Sequence, residues 1–426
     1  MIRRDFLTLA AAPLVAAEKR PNILFLFSDD HHFQCLRAAG NPHIHTPNLD
    51  RLAQRVFFRN GQVSTPQCCP SRGILLSGLE TYQSGLLSNG QTYFKEGIGP
   101  TVIEQLKRSG YDTALIGKWH IQPLPAECGF AKAPLWLRGG ASLYQNPSLR
   151  RGLDGKEEVV KGHITDLFTD TAIDYLNTAR EPFFLWLAYN APHTPWYAGS
   201  RYREQYRAVI PPPAHPTKDV PFFDWPTYYA VITHLDEAIG RLIAMLEKRG
   251  LWDNTLVFFL GDNGYLCGTK GLQGKVYPWE ESIRVPFLVS GGLAASAKLI
   301  DDPAASIDLP ATWLDFAGVK PAYPLAGRSL RSYITKGKGN HEAAFSAWAD
   351  GRVEALAIRR AVEPYRLVRT PSHKYVLWES RKEALFDLRK DPHEVASITE
   401  VKMRKRLREH LAQRMKQTSD SAISWM

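Results

Sequence analysis

The sequence predicts an α/β fold: a large mixed, mostly parallel sheet flanked by helices, followed by a small C-terminal antiparallel sheet with one helix. Three observations carry this prediction. Four short apolar runs each end in a cluster of polar residues, as strands buried on both faces do. Helical patterns lie between these runs, and alternating strands and helices favour a parallel sheet. After about residue 340 the apolar segments become short and alternating, which is typical of antiparallel strands.

The four apolar runs are the predicted central strands. They are Asn22–Phe27, Thr113–Ile116, Phe183–Tyr189 and Thr255–Leu260. The polar sequences that follow them are Ser28-Asp29-Asp30, Gly117-Lys118-Trp119-His120, Asn190-Ala191-Pro192-His193 and Gly261-Asp262-Asn263-Gly264. Ligands of such sheets bind beyond the carboxyl ends of the strands. The four polar clusters therefore predict one shared site.

Three helices are predicted between these strands. Thr101–Ser109 ends before Gly110, a residue suited to a helix C-terminus. Thr165–Ala179 and Pro226–Lys248 carry apolar residues at helical spacing. The proline-rich stretch 208–226 predicts a long surface loop.

The part of the chain after residue 340 predicts a second, smaller unit. Its strand-like segments are Ala355–Arg360, Tyr365–Arg369 and Lys374–Trp378, and a basic helix follows near Val401–Gln417. We expect Leu407 and Leu411 to be core contacts of that helix. The predicted organisation is a main domain over residues 18–340 and a C-terminal subdomain over residues 341–426.

The N-terminus predicts an export signal. Arg3-Arg4 precedes an apolar run from Phe6 to Ala17 that closes on small residues. Residues 1–17 therefore predict a signal peptide of the twin-arginine type, and hence a periplasmic or secreted protein. The alternative is a chance basic N-terminus on a cytoplasmic protein. The run is too short to cross a bilayer, and no later stretch is apolar enough, so no membrane span is expected.

The composition is that of an ordinary globular protein. The chain has 426 residues, of which 44% are hydrophobic and 23% charged, and its formal net charge is +10. Residues 331–426 hold 20 Lys/Arg and 12 Asp/Glu and so carry about +8 of this charge. This basic part either faces a polyanionic substrate or is solvated surface. No nucleic-acid-binding motif is present, so no nucleic acid is expected as a partner.

Cysteine and acidic residues indicate a metal site that is not of the zinc type. The five cysteines contain no Cys-x-x-Cys pair, which disfavours zinc. Asp29-Asp30 and Asp262-Asn263 each follow a predicted strand. Either pair alone fits a helix cap or a turn. Together at one sheet edge, their oxygen atoms predict a hard divalent cation.

The segment around Cys68 resembles the signature of a known family. Cys68-Cys69-Pro70-Ser71-Arg72, followed by an apolar pair and Gly78, resembles the sulfatase signature. In that family, which has the alkaline-phosphatase-like fold, the first cysteine is oxidised by a maturation enzyme to formylglycine. The resemblance implies that Cys68 becomes the nucleophile at a helix N-terminus, where an anionic sulfate is stabilised. Cys69 occupies the variable position of the signature.

The resemblance extends over nearly the whole chain and implies the other site residues. Residues that resemble the family's calcium ligands are Asp29, Asp30, Cys68, Asp262 and Asn263. Residues that resemble catalytic groups are Arg72, Lys118, His120, His193 and Lys275, and those implied to contact substrate are Lys118, His193, Lys270 and Lys275. Leu385–Pro392 resembles the family's C-terminal hairpin.

The resemblance also implies roles for these residues. Lys118 and Lys275 would balance charge on the sulfate, and His193 would protonate the departing alcohol. His120 would take a proton from the hydrated formylglycine as sulfate leaves, and Arg72 would hold the nucleophile and the metal ligands in place. One departure is Lys270, which stands where many members have a histidine and puts the subfamily in doubt.

The implied activity is hydrolysis of sulfate esters, with a sulfated carbohydrate as the expected substrate. Two alternatives stay open. The first is a phosphonate or phosphate monoester hydrolase of the same superfamily. The second is an inactive exported carbohydrate-binding relative, which would lack a nucleophile or metal ligand.

Overall fold

The computed structural model describes residues 19–90, 93–207, 223–351, 354–355 and 360–426. It confirms the predicted fold class, with a large sheet between two layers of helices and a small antiparallel sheet near the C-terminus. The predicted signal peptide, most of the 208–226 loop and part of the predicted strand Ala355–Arg360 lie outside the described residues.

The strands are short except at the centre of the large sheet. In chain order they are β1 Asn22–Ser28, β2 Val56–Phe58, β3 Gly61–Gln62, β4 Asp112–Lys118, β5 Leu135–Leu137, β6 Ser148–Arg151, β7 Glu157–Val159, β8 Phe183–Ala188, β9 Thr255–Gly261, β10 Leu266–Cys267, β11 Gln273–Gly274, β12 Phe287–Ser290, β13 Lys298–Ile300, β14 Ala304–Ala305, β15 Ala344–Trp348, β16 Glu354–Ala355, β17 Arg360–Ala361, β18 Tyr365–Arg369, β19 His373–Trp378 and β20 Glu383–Asp387.

The large sheet has ten strands in the order β13-β2-β12-β9-β1-β8-β4-β5-β6-β7. The four predicted central strands are β9, β1, β8 and β4, which are direct neighbours and mutually parallel. Antiparallel strands flank this parallel centre, since β12 pairs with β9 and β6 pairs with β5 in that sense. The carboxyl ends of the four central strands therefore share one edge.

The helices cover both faces of the sheet. In chain order they are α1 Pro47–Ala53, α2 Cys68–Ser77, α3 Thr81–Ser84, α4 Val102–Arg108, α5 Ile164–Thr178, α6 Ser200–Arg203, α7 Trp225–Lys248, α8 Glu280–Ile283, α9 Asp308–Phe316, α10 Arg331–Lys336 and α11 Val401–Gln417. The predicted helices correspond to α4, α5, α7 and α11, with ends shifted by at most one residue. None of the helices in the described ranges is both long and apolar enough to cross a bilayer.

Alternation along β1 explains the two apolar layers. Leu24 and Leu26 point to one face, where they pack with residues of α1, α5 and α7. Ile23, Phe25 and Phe27 point to the other face, where they pack with residues of α2, α4 and α9. A strand whose side chains are apolar at every position is buried on both faces, as this one is.

The chain after residue 340, which we call the C-terminal subdomain, forms the antiparallel sheet β15-β18-β19-β20. One face packs on α11 through Leu407 and Leu411, as expected from the sequence. The opposite face packs on residues of the main domain that include Leu266 and Ile283. The subdomain therefore lies against the segments that follow β9.

Buried ion pairs join the C-terminal subdomain to the main domain. Glu280 of α8 accepts hydrogen bonds from Arg369 of β18, with the shortest at 2.9 Å, and from Lys374 of β19 at 3.4 Å. All three side chains are buried. Arg414 of α11 also pairs with Glu80 in the turn before α3. Charged groups with low exposure depend on such partners.

Candidate active site

The four strand ends bring their polar residues together at one edge of the sheet. Asp29 and Asp30 follow β1, and Asp262 and Asn263 follow β9, its neighbour. On the other side of β1, His193 follows β8, while Lys118 closes β4. The Lys118 ammonium contacts the Asp29 carboxylate, and His193 Nε2 lies 3.6 Å from Asp30 Oδ2. The predicted shared site is therefore a single cluster of side chains.

The backbone at Asp30 is held in an unusual conformation. Asp30 has a φ of 59°, in the left-handed region that non-glycine residues rarely adopt. Its amide donates to Asp262 Oδ1 at 3.2 Å, and its carbonyl accepts from the Tyr228 hydroxyl at 2.6 Å. The same hydroxyl accepts from the amide of His32 at 2.9 Å. These contacts fix the turn that presents both carboxylates of the Asp29-Asp30 pair.

Cys68 is the first residue of α2 and lies inside the cluster. Its side chain is 1% exposed. Sγ lies 2.8 Å from Lys275 Nζ and 3.5 Å from Asp29 Oδ1. Burial and the Asp29 charge raise the pKa of the thiol, although Lys118 and Lys275 oppose the shift. Residue 68 thus stands at a helix N-terminus, where an anion is stabilised.

Three basic side chains balance three carboxylates. Arg72 Nη2 donates to Asp262 at 2.9 Å and its Nη1 donates to the Lys118 carbonyl at 2.7 Å. Lys275 Nζ donates to Asp30 Oδ1 at 2.5 Å. Together with the contact of Lys118 on Asp29, each acid has a basic partner. The protein groups alone therefore make the cluster close to neutral.

The pKa values of the two aspartates Asp29 and Asp262 move apart. Burial alone would raise the pKa of Asp29, but Lys118, His193 and the other nearby cations hold it well below its usual value. Burial and the Asp29 charge raise the pKa of Asp262 to about 6. Asp29 is therefore the more firmly ionised of the two carboxylates in the metal-free protein.

The two predicted catalytic histidines are both neutral at pH 7. Burial lowers the pKa of His193, while Asp29 and Asp30 oppose the shift. Burial and the charges of Lys118 and Arg72 lower the pKa of His120 to about 2. His193 Nδ1 lies 2.5 Å from the Thr194 carbonyl and so carries the ring proton, which leaves Nε2 free. His120 Nδ1 is buried and has no hydrogen-bond partner in the part of the chain that the structure describes.

The donor set fits a hard divalent cation. Asp29, Asp30, Asp262 and Cys68 each offer a ligand atom, and these atoms lie within 4.8 Å of one another. Asn263 Oδ1 is buried and has no hydrogen-bond partner among the described residues, although its amide nitrogen donates to Asp30 Oδ1 at 2.6 Å. Three carboxylates and an amide oxygen suit Ca²⁺. A bound cation would give the orphan oxygen of Asn263 a partner.

Comparison with protein families agrees with this arrangement. The family model described as Sulfatase matches residues 21–319, and the model described as N-sulphoglucosamine sulphohydrolase, C-terminal, matches residues 268–421. The chain belongs to the sulfatase family. It is a sulfuric ester hydrolase.

Individual relatives match almost end to end. An N-acetylglucosamine-6-O-sulfatase of Bacteroides thetaiotaomicron is 26% identical, over 97% of this chain and 90% of the relative. A solved structure in complex with its substrate D-glucosamine-2-N,6-O-disulfate superposes with a TM-score of 0.85 at 26% identity, over 95% of this chain and 99% of the other. The phosphonate monoester hydrolase of Agrobacterium radiobacter shares the fold, with a TM-score of 0.78 at 20% identity, over 94% of this chain and 96% of the other.

The contacts of Lys270 are with residues outside the predicted site of the sulfatase. Its ammonium contacts the His393 carbonyl and lies 3.5 Å from Glu281 Oε1. The contact with His393 ties it to the turn segment that follows β20. Its predicted role in substrate binding stays a prediction.

Two residues that support the sulfatase site were missed by sequence analysis. Tyr228 of α7 is a buried residue of an amphipathic helix, and nothing in its local sequence indicates contact with Asp30. Asn89 Oδ1 accepts a hydrogen bond from the backbone amide of Cys69 at 3.0 Å. The backbone amide of Asn89 donates to Gln67 Oε1 at 2.8 Å. The Asn89-Gly90 pair predicts a turn, and only the fold places that turn against the start of α2.

Proposed function

We propose that this sulfatase hydrolyses sulfate esters of carbohydrates, using a formylglycine made from Cys68 as nucleophile and a calcium ion as cofactor. The observation that carries the proposal is the position of residue 68. It starts a buried helix, faces two lysines and lies within the set of metal-ligand atoms. Adjacent Cys69 packs instead in the apolar core.

The cation and the modified residue 68 would supply a Lewis acid and an oxygen nucleophile, which the unmodified side chains of the site do not provide. When bound, calcium polarises a sulfate oxygen, and formylglycine supplies an oxygen nucleophile. Asp29, Asp30, Asp262 and Asn263 would hold the ion. Arg72 donates a hydrogen bond to Asp262, one of these ligands. Its role would therefore be to position the metal ligands rather than the substrate.

Charge balance explains why a cation and an anion would bind together. Without the ion, the three carboxylates and three basic groups nearly cancel. A divalent cation would make the site positive, which favours a sulfate monoester. Lys275 lies closest to residue 68 and can neutralise a sulfate oxygen held there.

The leaving group would depart past His193. The His193 side chain is 16% exposed, whereas Asp30 beside it is nearly fully buried. Its Nε2 faces the acidic pair, and the charges of Asp29 and Asp30 favour uptake of a second proton at that atom, which can then pass to the departing alcohol oxygen. His120 is a second neutral imidazole close to Lys118, and burial and the neighbouring cations make it a weak base in the metal-free protein. A bound sulfate would oppose the effect of those cations and favour proton uptake by the ring.

The proposed substrate class rests on the relatives. One is named for N-acetylglucosamine 6-sulfate, and one solved neighbour holds a sulfated glucosamine. The model that matches the C-terminal part is also named for a sulfated glucosamine. These names support a sulfated amino sugar as the first substrate to test.

The experiment is sulfate release from a panel of sulfated mono- and oligosaccharides. The protein is co-expressed with a formylglycine-generating enzyme, and peptide mass spectrometry establishes which cysteine is converted. We expect turnover of at least one sugar sulfate, an aldehyde at residue 68, and loss of activity in Cys68→Ser but not in Cys69→Ser. An aldehyde at Cys69, or full activity of Cys68→Ser, would refute the proposed nucleophile.

An aryl phosphonate included in the panel tests the alternative activity. We expect kcat/KM for 4-nitrophenyl sulfate to exceed that for phenyl 4-nitrophenyl phosphonate. The reverse order would make the protein a phosphonate hydrolase that retains the sulfatase fold.

A further inference from the structure

A cavity of about 920 Å³ lies where the main domain meets the C-terminal subdomain. We call it the interdomain cavity. Its main-domain wall includes Tyr82, Tyr93 and Phe94, and its subdomain wall includes Arg366 and Trp425. Sites for small ligands have volumes of roughly 300–1,000 Å³, are lined by aromatic residues and carry a few polar groups. The cavity has the size and the lining of a ligand site.

Several contacts hold the floor of the interdomain cavity, by which we mean Arg366 and the aromatic rings beside it. The Arg366 guanidinium lies 4.9 Å from the Tyr82 ring and 5.0 Å from the Trp425 ring. Arg366 also donates to both carboxylate oxygens of Asp420, at 2.5 and 2.9 Å, and to the Trp348 carbonyl at 3.1 Å. Two aromatic rings from different parts of the chain are thus fixed by one buried side chain.

The same contacts make the floor electrically neutral. Asp420 compensates the charge of Arg366, and both side chains are buried. Lys95 and Glu379, which also line the cavity, have opposite charges. Among the described residues, a second sulfate group therefore finds no uncompensated cation on the floor. A neutral ligand with an apolar face fits better.

Two chain segments that line the interdomain cavity adjoin the catalytic cluster. Gln122, which lines it, follows His120 by two residues. Gly90, also in its wall, follows Asn89, whose side chain bonds to the Cys69 amide in the first turn of α2. These two segments bring the wall of the cavity close to the catalytic cluster.

We propose that the interdomain cavity binds the sugar units that adjoin the sulfated unit of an oligosaccharide substrate. A pyranose ring presents an apolar C–H face that packs on an aromatic ring, and hydroxyl groups that bond to a polar rim. The proposal rests on the proposed function and specifies it, because it makes an oligosaccharide a better substrate than the free monosaccharide.

The test compares two substrates that share the sulfated sugar turned over fastest in the panel: the monosaccharide, and a tetrasaccharide ending in it. Tyr93→Ala is the principal variant, because this side chain is 67% exposed and its removal costs little stability. Trp425→Leu is the second variant. Leu299→Ala, an exposed apolar residue on edge strand β13, is the matched control.

We expect each cavity variant to lower kcat/KM for the tetrasaccharide roughly three- to tenfold and to leave the monosaccharide unchanged. The loss should be the same at low and high salt, since the floor is neutral. The Leu299→Ala control should change neither substrate.

Equal effects on both substrates, or no effect of Tyr93→Ala on the tetrasaccharide, would overturn the proposal. A loss that disappears at high salt would assign the effect to Lys95 and Glu379 and contradict ring stacking. If the wild-type protein releases sulfate from no sugar, the proposed function fails first, and the assignment of the cavity fails with it.

Discussion

Cys68 and Cys69 are adjacent in sequence, yet their side chains enter different surroundings. Successive residues of an α-helix point about 100° apart. Sγ of Cys68 therefore faces Lys275 and Asp29, while Cys69 turns into the apolar layer with Leu75 and Leu76. The turn of α2 separates a reactive position from a packing position.

Tyr228 is the residue whose removal most directly tests the turn at Asp30. Its hydroxyl donates to the Asp30 carbonyl and accepts from the His32 amide. In Tyr228→Phe both buried groups lose a partner, at a cost of about 1–3 kcal/mol. We expect weaker calcium binding and a lower Tm, measured by calorimetric titration and thermal unfolding.

Tyr229→Phe is the matched control for this prediction. Tyr229 is the next residue of α7 and is also buried, but its hydroxyl accepts from Asn41 at 2.8 Å and does not contact the Asp30 turn. It should lose stability while retaining calcium affinity. Equal calcium affinities in the two variants would mean that the Tyr228 hydroxyl does not support the metal ligands.

At the scale of elements, the central strands were predictable and the peripheral ones were not. Long apolar runs identify β1, β8 and β9, because burial on both faces leaves no room for polar side chains. By contrast β6, Ser148–Arg151, and β7, Glu157–Val159, contain mostly polar residues. They are strands only because β5 offers a paired edge, and local sequence does not encode that edge.

The residues of the candidate site also fall into a group that the sequence predicts and a group that it does not. Residues at strand ends could be placed together from sequence, because parallel neighbours share an edge. The contact between Tyr228 and Asp30 joins residues 198 positions apart and depends on how α7 packs. Lys270 had a sequence position suited to the site, but its ammonium turns to the His393 carbonyl. Such contacts follow from tertiary packing, which periodicity does not report.

The junction between the main domain and the C-terminal subdomain gives a prediction about stability. Glu280→Gln would remove the carboxylate that pairs with Arg369 and one of the two that pair with Lys374, the other being Glu394. Breaking a buried charge pair by removing one partner costs roughly 3–5 kcal/mol. We expect a loss of that size in urea unfolding.

Asp315→Asn is the control for the charged junction. Asp315 pairs with Arg331 at 3.5 Å, and both side chains are more than two-fifths exposed. Exposed pairs contribute about 1 kcal/mol or less. If Glu280→Gln destabilised the protein no more than this control, the buried pairs would not hold the subdomain in place.

At the scale of the whole molecule, part of the positive charge of the C-terminal subdomain is neutralised by ion pairs that the sequence does not show. Arg366, Arg369 and Arg414 are held in ion pairs with Asp420, Glu280 and Glu80. These arginines join parts of the fold and are not available to bind a polyanion. This pairing favours the interpretation that the remaining basic residues are solvated surface rather than a binding face for a polyanionic substrate.

The charge balance at the strand ends predicts how the folded protein responds to loss of metal. Three carboxylates have three basic partners, so a chelated protein keeps a compensated cluster. We expect EGTA to abolish sulfate release while the protein still unfolds in one cooperative transition. Its Tm should fall by a few degrees, because a ligand that binds only the folded state stabilises it.

Circular dichroism and sulfate release before and after chelation measure both effects. Calcium should restore activity more effectively than magnesium, which prefers octahedral sites that retain water. Activity that survives thorough chelation would contradict a calcium-dependent site. Unfolding on chelation would contradict the charge balance.

The burial of Cys68 has a consequence for how an active molecule is produced. Once α2 has packed, its sulfur is enclosed by charged side chains and only 1% of the residue is exposed. A modifying enzyme must therefore reach the nascent chain before it folds. Under the proposed function, folding and oxidation compete, and a molecule that folds before it is oxidised stays inactive for as long as it remains folded. The active fraction of a preparation then depends on the rate of Cys68 oxidation relative to the rate of folding. Slower folding should increase the active fraction.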